Sequence, residues 1–356
     1  MVQAIGRETT SERSLIGEKL RDKRILVTGA SGLVGFHCAA ALLRHGAFVV
    51  AAVRQSSNQE ALQDEVRKSP ERLRVALIEL TDERSLLAAM AGCDGVVHTA
   101  ATIDANGTGK DLRAINVSGT KNALMAAKKS GVKHFVHISS LAVITGEDDK
   151  YNVTEEEPLN YCREPYANSK IDAENIVMYE AGRGVQVTSL RPGFIYGPNE
   201  HAWMPRLIDA LKKGRALVIG DGSKETNVIY VENLCYAISL AMFNPVAYGQ
   251  VYNLTDGQRI SKRQLFDSIA DGLSLPRANI KISVLAARLI CETSSRLSPL
   301  APSSLQPFLA RYSRPAFRLA ALNQGFDIGK AERELGYTDR IPFEQGMAKT
   351  LAHWRI

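Results

Sequence analysis

Arg24 to Gly46 reads RILVTGASGLVGFHCAAALLRHG. A β-branched, apolar run enters a turn with glycines at 29, 32 and 35, and the turn opens into an alanine- and leucine-rich stretch that stops at Gly46. Glycines in this pattern permit a tight turn, close approach of backbone to a pyrophosphate, and close packing of a helix on a sheet. A helix that starts there offers free N–H groups and a positive dipole end to phosphate oxygens. The triplet alone would be only a structural turn. Strand, glycine turn and helix in this order predict a dinucleotide site at the head of a parallel α/β unit.

Working outward, AFVVAAV, RVALIEL, GVVHTAA, HFVHISS and VQVTSLRP read as further strands, almost continuously apolar. Such runs suit strands covered on both faces. Between them lie LVGFHCAAALLRHG, DERSLLAAMAGC, NVSGTKNALMAAKKSG and ANSKIDAENIVMYEAGRG, each with helical spacing. Strand and helix in alternation predict an α/β, doubly wound parallel sheet, with ligands beyond the carboxyl ends of its strands. The expected organisation is an N-terminal extension at 1–22, a dinucleotide-binding Rossmann domain at 23–197 with 226–255 returning to it, and a smaller mixed α/β substrate domain from 198–225 and 256–356. The second strand ends in AAVRQSS. An acid there would favour NAD; Arg54 instead can pair with a 2′-phosphate, so NADP is expected over NAD.

The chain of 356 residues is 45% apolar and carries five scattered cysteines without a CxxC pair, which fits a reducing compartment and argues against a disulfide frame or zinc site. The first twenty residues lack the apolar core of a signal peptide, and no apolar run suits a membrane span, so a cytoplasmic location is expected. The net charge of +6 is local: seven bases and one acid lie between Arg277 and Arg318. These bases alternate with Leu, Ile, Phe and Pro rather than stacking aromatics, which argues against nucleic acid. No His/Glu/Cys cluster has metal spacing, so no metal is expected. His98 reads as a packed or cofactor-adjacent residue, and His134 and His137 as residues on opposite faces of one strand. Glu147–Lys150 and Thr154–Pro158 read as solvated loop.

Further along stands EPYANSK, Glu164 to Lys170. Tyrosine and lysine at i and i+4 share a helix face. An ammonium ion beside a phenol favours the phenolate, so the Tyr166 pKa is expected to fall below its reference of about 10. The glycine turn, HTAA (98–101), INVSGTKN with Asn116, HISS with Ser139 and Ser140, and YANSK follow one another along one sheet. In these motifs the sequence resembles the extended short-chain dehydrogenase/reductases. LRPGFIYGP (190–198), VIGDGS, VIYVENL, VYNLTDG and FDIGKAERELGY look like later landmarks of that family, so the resemblance covers residues 24–345.

The resemblance implies catalytic roles for Tyr166 as general acid/base, Lys170 as its partner, Ser140 as the hydroxyl that polarises a carbonyl, and Asn116 as a helix asparagine near the cofactor. Ser139 is the alternative hydroxyl, because the loop before Gly146 is one residue longer than the usual pattern. Cofactor contacts are implied for Gly29, Ser31, Gly32, Leu33, Val34, Gly35, Arg54, Leu80, Ala100, Ala101, Ser139, Tyr166, Lys170, Pro192 and Gly193. Substrate contacts are implied for Phe194, Thr102 and Leu141. The chemistry is self-consistent: reducing a carbonyl needs a hydride at carbon and a proton at the developing alkoxide.

Sugar-nucleotide epimerases commonly carry asparagine where this chain has Phe194, which favours an apolar ligand here. The look is that of the 3β-hydroxysteroid dehydrogenase and carbonyl reductase branch. The expected activity is therefore reversible reduction of a ketone on a steroid-like or long-chain substrate. The alternatives are a nucleotide-sugar epimerase or dehydratase, and a non-catalytic NADP-binding regulator; the second conflicts with an intact Tyr166 and Lys170. Residues 284–318 read either as surface helices whose arginines lie over the core, or as a peripheral membrane contact. The resemblance also implies a homodimer.

Overall fold

The computed structural model describes residues 16–103, 112–298 and 312–354, with Ala301, Pro302, Leu305 and Leu309 between the last two. The strands are β1 (Arg24–Thr28), β2 (Phe48–Val53), β3 (Leu73–Leu77), β4 (Gly95–His98), β5 (His134–Ile138), β6 (Gln186–Pro192) and β7 (Gln250–Leu254). They form one seven-stranded sheet in the order β7-β6-β5-β4-β1-β2-β3, and every pairing is parallel. The chain winds from β1 outward to β3 and returns to the other side of β1 at β4, which opens a crevice at the strands' carboxyl ends.

Both faces of the sheet's inner strands are buried, which is why those strands read as unbroken apolar runs. β1 sends Ile25 and Val27 into one core and Leu26 into the other. The first core is closed by α1 (Leu33–Arg44), the second by α3 (Glu83–Met90) and α4 (Thr120–Lys129). Between β2 and β3 runs α2 (Glu60–Lys68), and α5 (Pro165–Tyr179) precedes β6. The expected doubly wound fold is thus the observed one. Part of the segment set apart as an extension is folded: 16–20 is helical and buries Ile16 and Leu20 in the first core.

A second unit follows β6. It comprises α6 (Met204–Lys212), α7 (Val231–Ala241), which packs back on α1, α8 (Lys262–Gly272), α9 (Val284–Leu297), α10 (Arg314–Ala321) and α11 (Phe343–Ala352). Its own core gathers Met204, Ile208, Val218, Ile260, Leu265, Phe343 and Met347. Phe194–Tyr196 pairs with Val228–Tyr230, and Tyr196, Val228 and Tyr230 enter this second core rather than the sheet's. The loop expected at 147–158 is more than solvated. Lys150–Val153 forms a strand against Gln324–Phe326. Asp149 accepts from Lys224 Nζ at 2.5 Å and from Asn323 N at 2.7 Å, and Glu155 accepts from Asn253 N at 2.7 Å. Asp149 ties the two units together, and Glu155 ties this segment to β7.

Candidate active site

A cleft of about 1220 Å³ runs across the carboxyl edge of the sheet, and each residue expected to touch a cofactor lines it, from Gly29 to Gly193. At one end the wall is the β1–α1 turn. Gly29 has φ +65°, and a Cβ there would lie 2.9 Å from Ala100 Cα. A Cβ on Gly35 would lie 2.3 Å from Gly29 O, so only glycine lets the helix begin so close to the turn. Gly32 is the N-cap of α1 and supplies no side-chain acceptor, which leaves the first helical N–H groups facing the cleft. This cradle fits a pyrophosphate. Leu80 is held in the wall by Asn122 Nδ2, which donates to its carbonyl at 2.8 Å. Exposed Arg54 lies on the cleft wall just beyond β2.

At the other end stand Ser139, Ser140, Tyr166 and Lys170. α5 is entered through Glu164 as N-cap and Pro165 at its first position, where the missing N–H costs nothing. One turn apart, Tyr166 and Lys170 face the end of β5. Lys170 is 3% exposed and its Nζ donates to Ile138 O at 2.6 Å. Burial pulls its pKa down to about 8, against the pull of Glu174 one turn further on. Glu174 is itself locked to β6: it accepts from Arg191 Nη2 at 2.6 Å and from Ser189 Oγ at 2.9 Å, and both ions of the pair are buried.

The expected lowering of the Tyr166 pKa is contradicted. Burial pushes the phenol up to about 12, a hydrogen bond with Ser140 works against that rise, and the charge of Glu164 adds to it. Loss of water around the phenolate outweighs what i, i+4 spacing promised, because Lys170 turns its ammonium to a backbone carbonyl. Tyr166 is therefore held as a protonated donor. Of the two serines, Ser140 is the one that meets the phenol, while Ser139 Oγ is buried without a partner.

Two expected residues do not face the cleft. Asn116 sits in a π-helical turn, Arg113–Gly119, and is 1% exposed. Its Oδ1 accepts from Thr102 N at 2.8 Å, and its Nδ2 donates to Thr102 O at 2.9 Å and Ser169 Oγ at 3.0 Å. It braces the Thr102 wall against α5 rather than meeting a reactant. Leu141 is fully buried with Val143, Ile144 and Ile171, and its N–H donates to Pro192 O at 3.0 Å. Phe194 and Thr102 do line the cleft. Phe194 packs on Trp203 with ring centroids 4.6 Å apart. His98 is a packed residue, pairing with Thr28 Oγ1 at 2.9 Å and Thr120 Oγ1 at 3.1 Å, and burial lowers its pKa to about 3. Glu164, Trp203, Asn227, Arg318 and Gln324 also line the cleft and escaped the sequence reading. Their only common signal is that they converge in space.

A profile of the NAD dependent epimerase/dehydratase family matches residues 25–255, from β1 to the last strand of the sheet. The chain belongs to that family. It is 31% identical over 331 residues, 91% of this chain and 94% of the relative, to the 4-hydroxy-2-methyl-3-oxo-4-farnesyl-3,4-dihydroquinoline-1-oxide ketoreductase of Stigmatella aurantiaca. It is 30% identical over 354 residues, 93% of this chain and 91% of the relative, to the 3-beta-hydroxysteroid dehydrogenase of Mycolicibacterium neoaurum. Among solved structures, the dTDP-glucose 4,6-dehydratase of Streptomyces venezuelae with NAD bound superposes with a TM-score of 0.73 at 26% identity, over 93% of this chain and 96% of that one. The chain is an extended short-chain dehydrogenase/reductase of the 3β-hydroxysteroid dehydrogenase-like branch, an oxidoreductase of CH–OH groups that works with a nicotinamide cofactor.

Proposed function

We propose that the protein reversibly reduces a ketone on an apolar substrate with NADPH, and that Tyr166 is the general acid. The observation that carries this reading is the grouping of a protonated phenol, the Ser140 hydroxyl and the buried Lys170 on the wall of the same cleft as the glycine cradle. The cradle, Lys170 and the Pro192–Gly193 backbone would hold a nicotinamide cofactor, which would supply the hydride. Ser140 holds the carbonyl oxygen. Tyr166 gives its proton to that oxygen as negative charge develops there, and takes it back when the alcohol is oxidised. Asn116 and Ser169 keep Thr102 and the catalytic helix in register.

The cleft wall supports an apolar substrate. Phe194, packed at a tilt against Trp203, offers an aromatic surface in place of an amide, and the ketoreductase and dehydrogenase relatives bear names of prenylated and steroid substrates. Arg54 supports the choice of NADP through charge-assisted bonds to a 2′-phosphate. Among the described residues no helix is long and apolar enough to cross a membrane. On α9, exposed Leu285 and Leu289 lie beside exposed Arg288 and Arg296, which supports peripheral contact of 284–318 with anionic lipid. Co-sedimentation with such vesicles at low salt tests that contact, and no binding ends it. The central test is a screen of ketones with NADPH followed by Tyr166→Phe on any hit. Rapid epimerisation of a UDP-sugar would overturn the assignment.

A further inference from the structure

Arg318 is one of the bases in the local excess between Arg277 and Arg318, yet it is only 7% exposed. It lies on α10 in the second unit, where Ser313 Oγ accepts from Ala316 N to cap the helix. Lys262 Nζ donates to Leu319 O at 2.7 Å and to Glu225 O at 3.2 Å, so the backbone beside Arg318 is tied down. From there the guanidinium reaches the catalytic helix. Its Nη2 forms an ion pair with Glu164, and its Nη1 donates to Cys162 Sγ at 3.2 Å. Glu164 is the N-cap of α5, two residues before Tyr166, and Glu164, Arg318 and Tyr166 line one cleft.

We propose that Arg318 is a positioning residue for the proton transfer: arriving from the substrate side, it fixes and neutralises Glu164 and so keeps an uncompensated negative charge away from the reacting oxygen. The inference rests on the reading of Tyr166 as the acid. A buried carboxylate without a partner repels both the alkoxide and the phenolate, in surroundings where water screens little. Burial raises the Glu164 pKa and Arg318 lowers it, while the Glu164 charge opposes ionisation of Tyr166. The groups that act on the phenol are Ser140, from the loop after β5, and Glu164, the N-cap of its own helix, with Arg318 acting through Glu164 and Cys162 bonded to Arg318; Lys170, one turn on along α5, gives its ammonium to Ile138 O.

The test is a pH titration of protein labelled at the tyrosine ring carbon, saturated with NADP and followed by NMR, with the Tyr166 signal assigned by its absence in Tyr166→Phe. Glu164→Gln should lower the titration midpoint, and Arg318→Met should raise it by about one pH unit, tenfold in acidity. Arg318→Lys should stay near wild type, and the double variant Arg318→Met/Glu164→Gln should fall back to the Glu164→Gln value. Equal midpoints in wild type, Glu164→Gln and Arg318→Met overturn the proposal; where the phenol stays protonated up to pH 11 in all three, identical pH profiles of ketone reduction across them overturn it instead. Should Arg318→Met fail to fold, Glu164→Gln and Arg318→Lys carry the test. Full ketone reduction by Tyr166→Phe would remove the acid role of Tyr166 and leave the titration to report on the pair.

Discussion

At the dinucleotide end of the cleft the wall is backbone: the Gly29–Gly35 turn, the first N–H groups of α1 and the Ala100 chain that a Cβ on Gly29 would strike. At the reactant end the wall is side chains: Ser140 from after β5, Tyr166 from α5, Phe194 from after β6, and Arg318 from α10. A backbone wall has one shape and tolerates little, because a clash there has no flexible atom to absorb it. A side-chain wall can be altered one residue at a time. The first suits a ligand that never varies. The second suits one that does.

That contrast orders the expected effects of mutation. Tyr166→Phe removes the proposed general acid, and should lower the rate of ketone reduction by about 10²–10⁴-fold with cofactor binding unchanged; stopped-flow rates and an NADPH titration check it. Gly35→Ala sets a methyl 2.3 Å from Gly29 O and should destabilise the fold by about 1–3 kcal/mol while weakening cofactor binding. Thermal unfolding with and without NADPH reads both, and an unchanged melting temperature would break the idea of a rigid backbone wall.

Arg54→Ala should weaken NADPH by about 10- to 100-fold, the worth of a charge-assisted bond, and leave NADH untouched. Dissociation constants for the two cofactors decide it. The pH dependence is smaller in scale. Lys170 has its pKa lowered to about 8, so it is charged below that pH and neutral above. Ketone reduction should therefore decline as pH rises through about 8, and a flat profile to pH 10 would detach Lys170 from the chemistry. Least of all, Phe194→Asn should cost apolar ketones a few-fold in KM with little change in kcat.

The same division explains what could be read from the chain. The parallel sheet, the glycine turn, Arg54 and the Tyr166–Lys170 face are local patterns, and each lies where its spacing placed it. Asn116 and Leu141 do not line the cleft, because a π-helical turn and a small apolar cluster turn them inward. The direction of the Tyr166 shift depended on burial, which sequence spacing does not carry. Arg318 looked like one more surface base, since nothing near it in sequence reveals a partner 154 residues away. Glu174 escaped for the same reason, its counter-ion lying on the neighbouring strand.

Ile328, Ala331, Leu335 and Tyr337 lie in the same core as β1 and α1, well after the chain has built most of its second unit. Lys150–Val153, early in the chain, is paired with Gln324–Phe326 near its end. The chain is thus laced through itself. Selectivity on this scaffold is not carried by a separable cassette, since residues before 255 and after 325 share one core. New preferences must arrive as point changes along the cleft wall.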